Sequence, residues 1–245
     1  MVQPLWTPSE ERIRTANMTQ FMLAVNKEYG KNFSEYFELY DWSVNNIPDF
    51  WETVWDFVDI KASAKYEKVI DDINKFPGAR WFPGAKLNFA ENLLRYRDSR
   101  TAILFKRETD EPVSISYEEL YKTVAGLAAA LRNEGITKDD RVVAYMPNIS
   151  ETVIAMLSAT SIGAAWASCG SELGMQAVID RFSQIKPKVL FTVDGYQYKK
   201  KPFSLSSRIF KAALVISTKV GTLSLNGTTN ASALSLPARV TCKLS

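Results

Sequence analysis

Between Thr101 and Val193, short apolar runs alternate with amphipathic stretches, and this pattern constrains the fold more than any other feature of the sequence. The apolar runs have the length of strands, and the stretches between them place apolar residues at helical spacing. Alternating strands and helices with short connections are typical of a parallel sheet covered by helices. We therefore predict an α/β fold for this part of the chain.

The individual elements can be predicted from their boundary residues. Ser116 and Glu119 form a capping-box pattern at the start of a helix that ends near Gly135, and Ser150 is the predicted cap of the next helix. The predicted strands are Thr101–Lys106, Pro112–Ile115, Arg141–Met146, Ala164–Ser168 and Lys188–Val193, the first two of them a hairpin. The other predicted helices are Glu151–Ile162 and Met175–Ile185. Ligands of such sheets bind at the carboxyl ends of the strands.

The first third of the chain has helical rather than strand periodicity. Helices are predicted over Thr15–Tyr29 and Ser34–Asn46, followed by one that begins at Pro48 and a short one over Asn88–Arg97. The residues expected to face inward are Tyr36, Phe37, Tyr40 and Val44, and later Phe89, Leu93 and Tyr96. An aromatic stripe at Phe50, Trp51, Val54, Trp55 and Val58 is either core or a ligand platform, and the spacing favours core.

Charge and composition change abruptly near the end of the chain. All 27 acidic residues lie at or before Asp194, whereas the residues from Gly195 onward carry eight Lys or Arg and no acid. From Ser206 the sequence is rich in Ser and Thr and lacks helical periodicity, which predicts a poorly structured tail with one possible strand at Ala213–Ser217. The predicted domains are a helical region over 1–97, a partial sheet domain over 98–205 and the tail over 206–245.

The sequence contains no histidine and two cysteines, Cys169 and Cys242. Histidine-based zinc sites, Ser-His-Asp catalysis and Cys-His catalysis are therefore excluded within these residues, and two thiolates cannot form an all-cysteine zinc site. The carboxylate pairs Asp71-Asp72 and Asp139-Asp140 are adjacent in sequence and are predicted to be solvated at turns. We predict no catalytic residue and no metal site.

The stretch GAAWASCGSELG, Gly163–Gly174, contains two potential nucleophiles, Cys169 and Ser171. It is not a Gly-x-Ser-x-Gly elbow, and no histidine is available to activate either residue. Cys169 is therefore predicted to be buried and inert, and Ser171 to be structural. Because the stretch is a strand running into a loop, we expect the loop to lie near a ligand crevice.

Four segments resemble the acetyl-CoA and acetoacetyl-CoA synthetases of the adenylate-forming superfamily. They are Glu35–Phe57, Trp81–Leu94, Asp140–Gly174 and Asp180–Phe191. The last of these, with AENLL in the second, favours the acetoacetyl-CoA branch. The resemblance covers about Trp6 to Pro202 and occurs in the family's order. It implies an adenylate-forming fold.

The resemblance also implies an ATP-dependent acetoacetate–CoA ligase of ketone-body and lipid metabolism, which forms an acyl-adenylate and then a thioester. Acetoacetate, ATP, Mg and coenzyme A are the implied substrates and cofactors. The family's phosphate loop is rich in Ser, Thr and Gly and ends in Pro-Lys. The segment LNGTTNAS, Leu225–Ser232, echoes that loop, but Pro237-Ala238 follows it. We therefore expect this chain alone to be inactive, and we assign no residue to ATP or Mg. One ligand role that the resemblance implies remains, the binding of coenzyme A.

In acetyl-CoA relatives, basic residues after a strand like KVLFTV contact the phosphates of coenzyme A. The matching positions here are Lys199, Lys200 and Lys201, although the family's arginines are absent. Lysines are adequate point-charge partners for phosphate. A solvated turn is the alternative interpretation of this segment.

Two other functions remain open alongside the N-terminal portion of a ligase. One is a non-catalytic module that pairs with a full-length subunit through apolar surfaces and a sheet edge. The other is a non-functional truncated product. Without an apolar leader or a membrane-length apolar run, a cytoplasmic location and no membrane association are predicted. The basic end lacks arginine clusters and has few aromatic residues for stacking, so nucleic-acid binding is not expected.

Overall fold

The computed structural model describes residues 5–108, 110–205, 219–222 and 239–241. The chain divides into two units, with the division between Leu87 and Asn88. The first unit contains helices α1 (Glu10–Thr15), α2 (Asn17–Tyr29), α3 (Tyr36–Asn45) and α4 (Ile47–Phe57). Gly30 ends α2 in the left-handed region, at φ 60°, where glycine has no steric penalty. Pro48 lies in the first turn of α4, as predicted.

A small apolar core holds α2, α3 and α4 together. Its buried residues are Phe21, Val25, Leu39 and Trp42. The ring of Trp42 lies 5.0 Å from that of Tyr29, and Phe21 meets Phe50 edge to face at 5.7 Å. Aromatic pairs of this geometry add to the stabilisation that area burial provides.

The predicted inner face of α3 is wrong. The structure buries Leu39 and Trp42, whereas the residues expected to face inward, Tyr36, Phe37, Tyr40 and Val44, are exposed. Phe37 is the most exposed of them, at 73%. The reason is that α3 has apolar residues on two sides, and the side that contains Trp42 contacts the rings of Tyr29 and Phe33.

The aromatic stripe of α4 is core only in part. Phe50 and Val54 pack against the helical core, while Trp55 contacts the rings of Tyr66 and Phe82. Trp51 and Val58 are exposed, so the interpretation of the whole stripe as core is wrong for these two. The reason is that apolar residues surround more of α4 than its neighbours cover.

The second unit begins with α5 (Phe89–Leu93) and an antiparallel pair, β1 (Thr101–Phe105) with β2 (Val113–Ser116). Helix α6 (Tyr117–Asn133) follows, with the predicted capping box at Ser116 and Glu119. A separate five-stranded sheet contains β3 (Arg141–Tyr145), β4 (Ala165–Cys169), β5 (Val189–Thr192), β8 (Lys219–Thr222) and β9 (Arg239–Thr241). The order across this sheet is β4-β3-β5-β8-β9, and all neighbouring strands are parallel.

Helices α7 (Ser150–Ser161) and α8 (Met175–Ile185) connect the strands of the sheet. Strand β5 is buried at every residue and β3 at all but its first, which explains their continuous apolar sequences. Helix α6 buries Leu120, Val124, Leu127 and Leu131, one face at helical spacing. The predicted fold, helices followed by a parallel α/β sheet, is confirmed.

Two local predictions in this unit are wrong. Helix α5 ends at Leu93 and buries Ala90; Leu94 is buried just beyond it, whereas Phe89, Leu93 and Tyr96 are exposed. The cap of α7 is Ile149 rather than Ser150, whose hydroxyl donates to the carboxylate of Glu151. In both cases the pattern was shifted by one residue, because a one-turn helix and a Pro-containing turn offer too few positions to fix the register.

Of the four carboxylates predicted to be solvated, those of Asp140 and Asp71 are instead largely buried. Asp140 is buried, accepts from the backbone N–H and hydroxyl of Thr137, and pairs with Lys188 at 2.7 Å. The ammonium of Lys188, then the Thr137 N–H, lower the pKa of Asp140 to about 2. Asp71 accepts from the N–H of Arg80, which with Lys75 holds its pKa below the usual range. Both acids organise turns, although neither lies in a catalytic arrangement.

A hairpin that the sequence analysis did not predict follows β5. It consists of β6 (Gly195–Tyr198) and β7 (Lys201–Ser204), paired antiparallel. Most of the predicted tail, with its possible strand at Ala213–Ser217, the LNGTTNAS segment and Cys242, lies outside the described residues. The described parts beyond residue 205 are β8 and β9.

Candidate ligand cavity and basic hairpin

A cavity of about 600 Å³ lies beside the carboxyl ends of β3 and β5. Three segments of the chain form most of its wall: the end of β1, the turn after β3, and the hairpin after β5. The lining residues are Phe105, Lys106, Arg107, Glu108, Pro147, Asn148, Ile149, Asp194, Gly195, Tyr196, Gln197, Pro202, Phe203 and Ser204. Its position is where the topology of a parallel sheet predicts a ligand crevice.

The sequence builds this cavity by ending two neighbouring strands differently. Pro147 follows β3 and cannot donate to a sheet, so the chain turns into α7. After β5 the chain instead enters the hairpin, whose base is closed by a hydrogen bond from the N–H of Leu205 to the carbonyl of Asp194, at 2.8 Å. Leu205 is fully buried, so the base of the hairpin is anchored in the core.

One wall of the hairpin is apolar and closely packed. The rings of Tyr196 and Phe203 stack at 5.4 Å with an interplanar angle of 17°. A side chain at Gly195 would place its Cβ 2.6 Å from the carbonyl oxygen of Phe203, so this position requires glycine. The stacked pair gives the cavity a flat apolar surface next to its polar groups.

The tip of the hairpin is a two-residue turn formed by Lys199 and Lys200. Both have positive φ, at 51° and 61°, in the left-handed region that residues other than Gly, Asn and Asp rarely adopt. Positive φ at both central residues is the pattern of a type I′ turn, for which Asn-Gly is the favoured sequence. The turn is therefore strained and needs support from outside the hairpin.

Glu108 supplies that support. The N–H of Lys199 donates to Oε1 of Glu108 at 3.1 Å, and the N–H of Lys200 donates to Oε2 at 2.7 Å. Each carboxylate oxygen thus accepts one turn amide from a segment 91 or 92 residues away. The turn binds an anion through its backbone, while the three lysine side chains remain exposed.

The structure brings together the three lysines predicted to contact coenzyme A. They lie at the tip of the hairpin, and the lining residues Gln197 and Pro202 lie on its two strands directly below. The ammonium of Lys199 lies 5.5 Å from the ring centroid of Tyr198. Within the cavity, Lys106 and Arg107 add positive charge and Asp194 adds negative charge; Arg107 pairs with Asp110 at 3.5 Å.

The loop after β4 contributes less than expected. Cys169 is buried, as predicted, and Ser171 is fully buried. Tyr145 fixes the loop, because its hydroxyl lies 2.9 Å and 2.8 Å from the carbonyl oxygens of Ser171 and Leu173. None of residues 170–174, all of which the structure describes, lines this cavity, and the expectation that the loop lies near a ligand crevice stays a prediction.

The described residues contain neither a cluster of metal-ligating side chains nor a membrane-length apolar helix. Among the described residues, no three His, Cys, Asp or Glu side chains come close enough to hold a metal ion. No helix in that part of the chain is long and apolar enough to cross a membrane.

Comparison with known families identifies the unit that holds the cavity. Residues 89–237 match the family described as AMP-binding enzyme, which is more than half of the chain. The chain belongs to the AMP-binding enzyme family. The match extends to residue 237, whereas the resemblance seen in the sequence ends at about Pro202. Residues 36–93 match a second family, described as acetyl-coenzyme A synthetase N-terminus.

The individual relatives of this AMP-binding chain are described alike, as acetoacetyl-CoA synthetases. The acetoacetyl-coenzyme A synthetase of Rhizobium meliloti (strain 1021) is 39% identical over 84% of this chain and 32% of its own length. The acetoacetyl-CoA synthetase of Danio rerio is 42% identical over 80% of this chain and 29% of its own length. The chain therefore spans about 30% of the length of these relatives.

A solved structure supports the same assignment. The acetoacetyl-CoA synthetase from Streptomyces lividans superposes with a TM-score of 0.85 and 38% sequence identity. The alignment covers 94% of this chain and 36% of that structure. The predicted resemblance to these synthetases is thus confirmed, as is the adenylate-forming fold.

The ligand role of the three lysines was predicted from the sequence and stays a prediction, whereas Glu108 was not predicted. The three lysines were identified through the resemblance, whereas Glu108 lies in the β1–β2 connection and belongs to no motif. One signal was available: Tyr196, Tyr198 and Phe203 are aromatic residues flanking a two-residue polar turn, which is a hairpin pattern.

Proposed function

We propose that this chain carries the N-terminal helical region and the opening part of the AMP-binding domain of an ATP-dependent acetoacetate–CoA ligase. In this proposal the cavity and the basic hairpin receive the phosphate-bearing end of coenzyme A. The observation that carries the proposal is the position of three lysines on a hairpin whose strands line a cavity at the carboxyl ends of β3 and β5.

The chemistry of the site suits this ligand. Coenzyme A carries phosphates, which lysine ammonium groups attract as point charges, and an adenine ring, which can pack on a flat aromatic surface. The stacked pair of Tyr196 and Phe203 offers such a surface on the cavity side of the hairpin. A cavity of about 600 Å³ is of the size that holds a nucleotide-like ligand.

Acetoacetate, ATP and Mg enter the proposal through the relatives and not through residues of this cavity. The relatives that are 39% and 42% identical are described as acetoacetyl-coenzyme A synthetases. The sequence has no Gly-rich loop ending in Pro-Lys to hold the ATP phosphates, so we assign no catalytic residue to this chain. A cytoplasmic location and a role in ketone-body and lipid metabolism belong to the same proposal.

Binding of coenzyme A is the direct test. Titration calorimetry compares coenzyme A with dephospho-coenzyme A, which lacks the 3′-phosphate, on the 245-residue chain and on the variant with Lys199, Lys200 and Lys201 changed to Ala. We expect weaker binding of coenzyme A by the variant, about tenfold or more, since three point charges near a phosphate are lost.

A matched variant controls for net charge. Lys27, Lys31 and Lys65 are exposed lysines of the first unit, and changing all three to Ala removes the same charge. This control is expected to bind coenzyme A like the original chain. Equal losses in the two triple variants, or no measurable binding of coenzyme A by the unchanged chain, would refute the assignment of the site.

Catalysis is tested separately. We expect no acetoacetyl-CoA when the chain is incubated with ATP, Mg, acetoacetate and coenzyme A, because the 245-residue sequence has no Ser/Thr/Gly-rich loop ending in Pro-Lys to hold the ATP phosphates during adenylate formation. Detection of acetoacetyl-CoA by mass spectrometry, above a heat-inactivated control, would overturn this expectation.

A second candidate function is a non-catalytic module that pairs with a full-length subunit. The observation that favours it is a groove on the first unit, of about 320 Å³, formed by α2, α3 and α4. Several apolar residues that line it are exposed, among them Met18, Tyr36 and Tyr40. Co-elution with a full-length relative in size-exclusion chromatography would support pairing, and loss of co-elution in Tyr40→Glu would place the contact at this groove.

A further inference from the structure

The amides at the tip of the hairpin already hold an anion, and that anion is a side chain of the protein. Glu108 reaches the turn from the β1–β2 connection and accepts one hydrogen bond at each carboxylate oxygen, at 3.1 Å and 2.7 Å. Two adjacent backbone N–H groups that point the same way form a concavity for anions, as in many phosphate sites. The turn is thus a built anion site rather than a cluster of surface charges.

We propose that Glu108 competes with a ligand phosphate for the amides of Lys199 and Lys200, and so sets the affinity of the hairpin for phosphate. This inference rests on the proposed function for the identity of the ligand but names a residue, Glu108, and a backbone site to which that function assigns no role. A phosphate oxygen in place of the Glu108 carboxylate would accept the same two amides while the lysine side chains surround it.

Three features make Glu108 displaceable. Glu108 and the two turn residues are all exposed, so water and salt screen the interaction and keep it weak. Glu108 also lines the cavity, so its carboxylate can leave the turn without moving buried groups. Finally, buried Leu205 anchors the base of the hairpin, so a phosphate that replaces the carboxylate has to support only the turn itself.

The strain of the turn points to the same conclusion. A type I′ turn formed by Lys-Lys costs more than one formed by Asn-Gly, because both lysines must adopt positive φ. What this geometry provides is two adjacent backbone amides that donate to one anion, on residues whose side chains also carry positive charge. A hairpin that served only to connect β5 to the next segment would not need that concentration of donors.

The test measures phosphate binding at the turn itself. Inorganic phosphate is titrated into the ¹⁵N-labelled 245-residue chain, and the amide resonances of Lys199 and Lys200 are followed. We expect both to move with phosphate, and Glu108→Gln to lower the half-saturating concentration about three- to tenfold, the worth of a competing charge-assisted hydrogen bond at an exposed site.

Glu111→Gln is the matched control, because Glu111 is an exposed carboxylate in the same connection and its loss changes the net charge equally. We expect it to leave the half-saturating concentration unchanged. The same gain in Glu108→Gln and Glu111→Gln would mean general electrostatics, and no gain in Glu108→Gln would mean that Glu108 only supports the turn. Either result overturns the proposal.

Loss of Glu108 could also disorder the turn, and a further variant deals with this. Lys199→Asn with Lys200→Gly installs the favoured type I′ sequence, so that the turn persists without Glu108. Adding Glu108→Gln to this pair is expected to give the same relative gain in phosphate affinity. Absence of a gain when the hairpin amides are still protected from exchange would refute competition.

Measurements of coenzyme A binding distinguish a failure of this inference from a failure of the proposed function. Turn amides that respond to inorganic phosphate, together with no measurable binding of coenzyme A or dephospho-coenzyme A by the unchanged chain, would retain the anion site and reject the coenzyme. Tight binding of coenzyme A that depends on the lysines but is unchanged by Glu108→Gln would retain the proposed function and reject the competition.

Discussion

Strand β5 and the hairpin β6–β7 are neighbours in the chain but opposites in their environment. All four residues of β5 are buried and the strand pairs with β3 on one side and β8 on the other. In contrast, all four residues of β7 are exposed, and within the part of the chain that the structure describes the strand pairs only with β6. The residues that separate β5 from β6 are Val193 and Asp194, so the transition from framework to surface is abrupt.

This difference distinguishes the residues that stabilise the fold from the residues that a ligand can contact. Burial of apolar side chains stabilises β5 at roughly 25 cal/mol per Å², whereas the hairpin depends on its anchor at Leu205, one aromatic pair and Glu108. Elements with few buried contacts open locally at low free energy, and ligand-binding segments are drawn from that class. Mutations in the two regions should therefore differ in kind as well as in size.

The largest expected effect is in the framework. Leu190 in β5 is fully buried, and Leu190→Ala should lower the free energy of unfolding by about 2 to 5 kcal/mol through lost burial and a residual cavity. Urea denaturation followed by circular dichroism measures this loss. Phe203→Ala is the counterpart in the hairpin; because Phe203 is 42% exposed, we expect less than about 1.5 kcal/mol there.

Equal losses in Leu190→Ala and Phe203→Ala would break the comparison, because the hairpin would then belong to the same cooperative unit as the sheet. In that case hydrogen exchange of the β6–β7 amides would report the global free energy of unfolding rather than a lower one.

The second effect tests how closely the two hairpin strands approach. Gly195→Ala would bring a Cβ to 2.6 Å from a backbone oxygen, so the strands must separate. We expect a loss of about 1 to 3 kcal/mol, with early exchange of the hairpin amides. Gly126→Ala is the control: Gly126 lies in α6 with open space around its Cα, and alanine there should stabilise by about 0.5 to 1 kcal/mol. A neutral Gly195→Ala would contradict the observed register.

The third effect concerns Asp140, which directly precedes β3 at the amino ends of the strands, whereas the cavity lies beside their carboxyl ends. Asp140→Asn removes the charge that pairs with Lys188 and accepts from Thr137, and should lower the free energy of unfolding at pH 7 by about 1 to 2 kcal/mol. Because the pKa of Asp140 is lowered to about 2 in the folded chain, its contribution is present above about pH 4 and is lost as the pH falls toward 2.

The pH dependence distinguishes this role from a simple packing role. We expect the stabilities of the original chain and of Asp140→Asn to converge between about pH 4 and pH 2. Asp139→Asn is the matched control, since Asp139 is exposed and asparagine tolerates its φ of 67°. A constant difference between Asp140→Asn and the original chain across this pH range would contradict the charge-based explanation.

The framework could be predicted from the sequence because its signals are redundant. Strand β5 is a continuous apolar run, and α6 repeats its buried residues Leu120, Val124, Leu127 and Leu131 at helical spacing after a capping box. Each of these features would alone suggest the element, and a chance match to all of them together is rare. The alternation of these strands and helices, with short connections between them, then predicts a parallel sheet covered by helices.

The candidate site could be predicted only in part, because its geometry depends on distant contacts. Nothing near Lys199 indicates that Glu108 would hold the turn, and two lysines at positive φ contradict local preferences. The prediction of the buried side of α3 was wrong for a related reason. Both of its sides are apolar, and only contact with Tyr29 and Phe33 selects the side that contains Trp42.

The smallest effect concerns the loop after β4, which belongs to neither of the two regions compared. The hydroxyl of Ser171 is fully buried and has no hydrogen-bond partner among the residues the structure describes. Ser158 in α7 is equally buried, but its hydroxyl lies 2.7 Å from the carbonyl of Ile154 and 3.2 Å from that of Val124. The two serines therefore form a matched pair for measuring what a buried hydroxyl contributes.

We expect Ser158→Ala to cost about 1 kcal/mol, and Ser171→Ala to be neutral or to stabilise by up to about 1 kcal/mol, because it removes a polar group that burial leaves unsatisfied. Thermal unfolding of both variants measures the difference. A cost in Ser171→Ala equal to that in Ser158→Ala would mean that the hydroxyl is bonded after all, by an internal water or by a residue outside the described part of the chain. The loop would then belong with β5 to the framework.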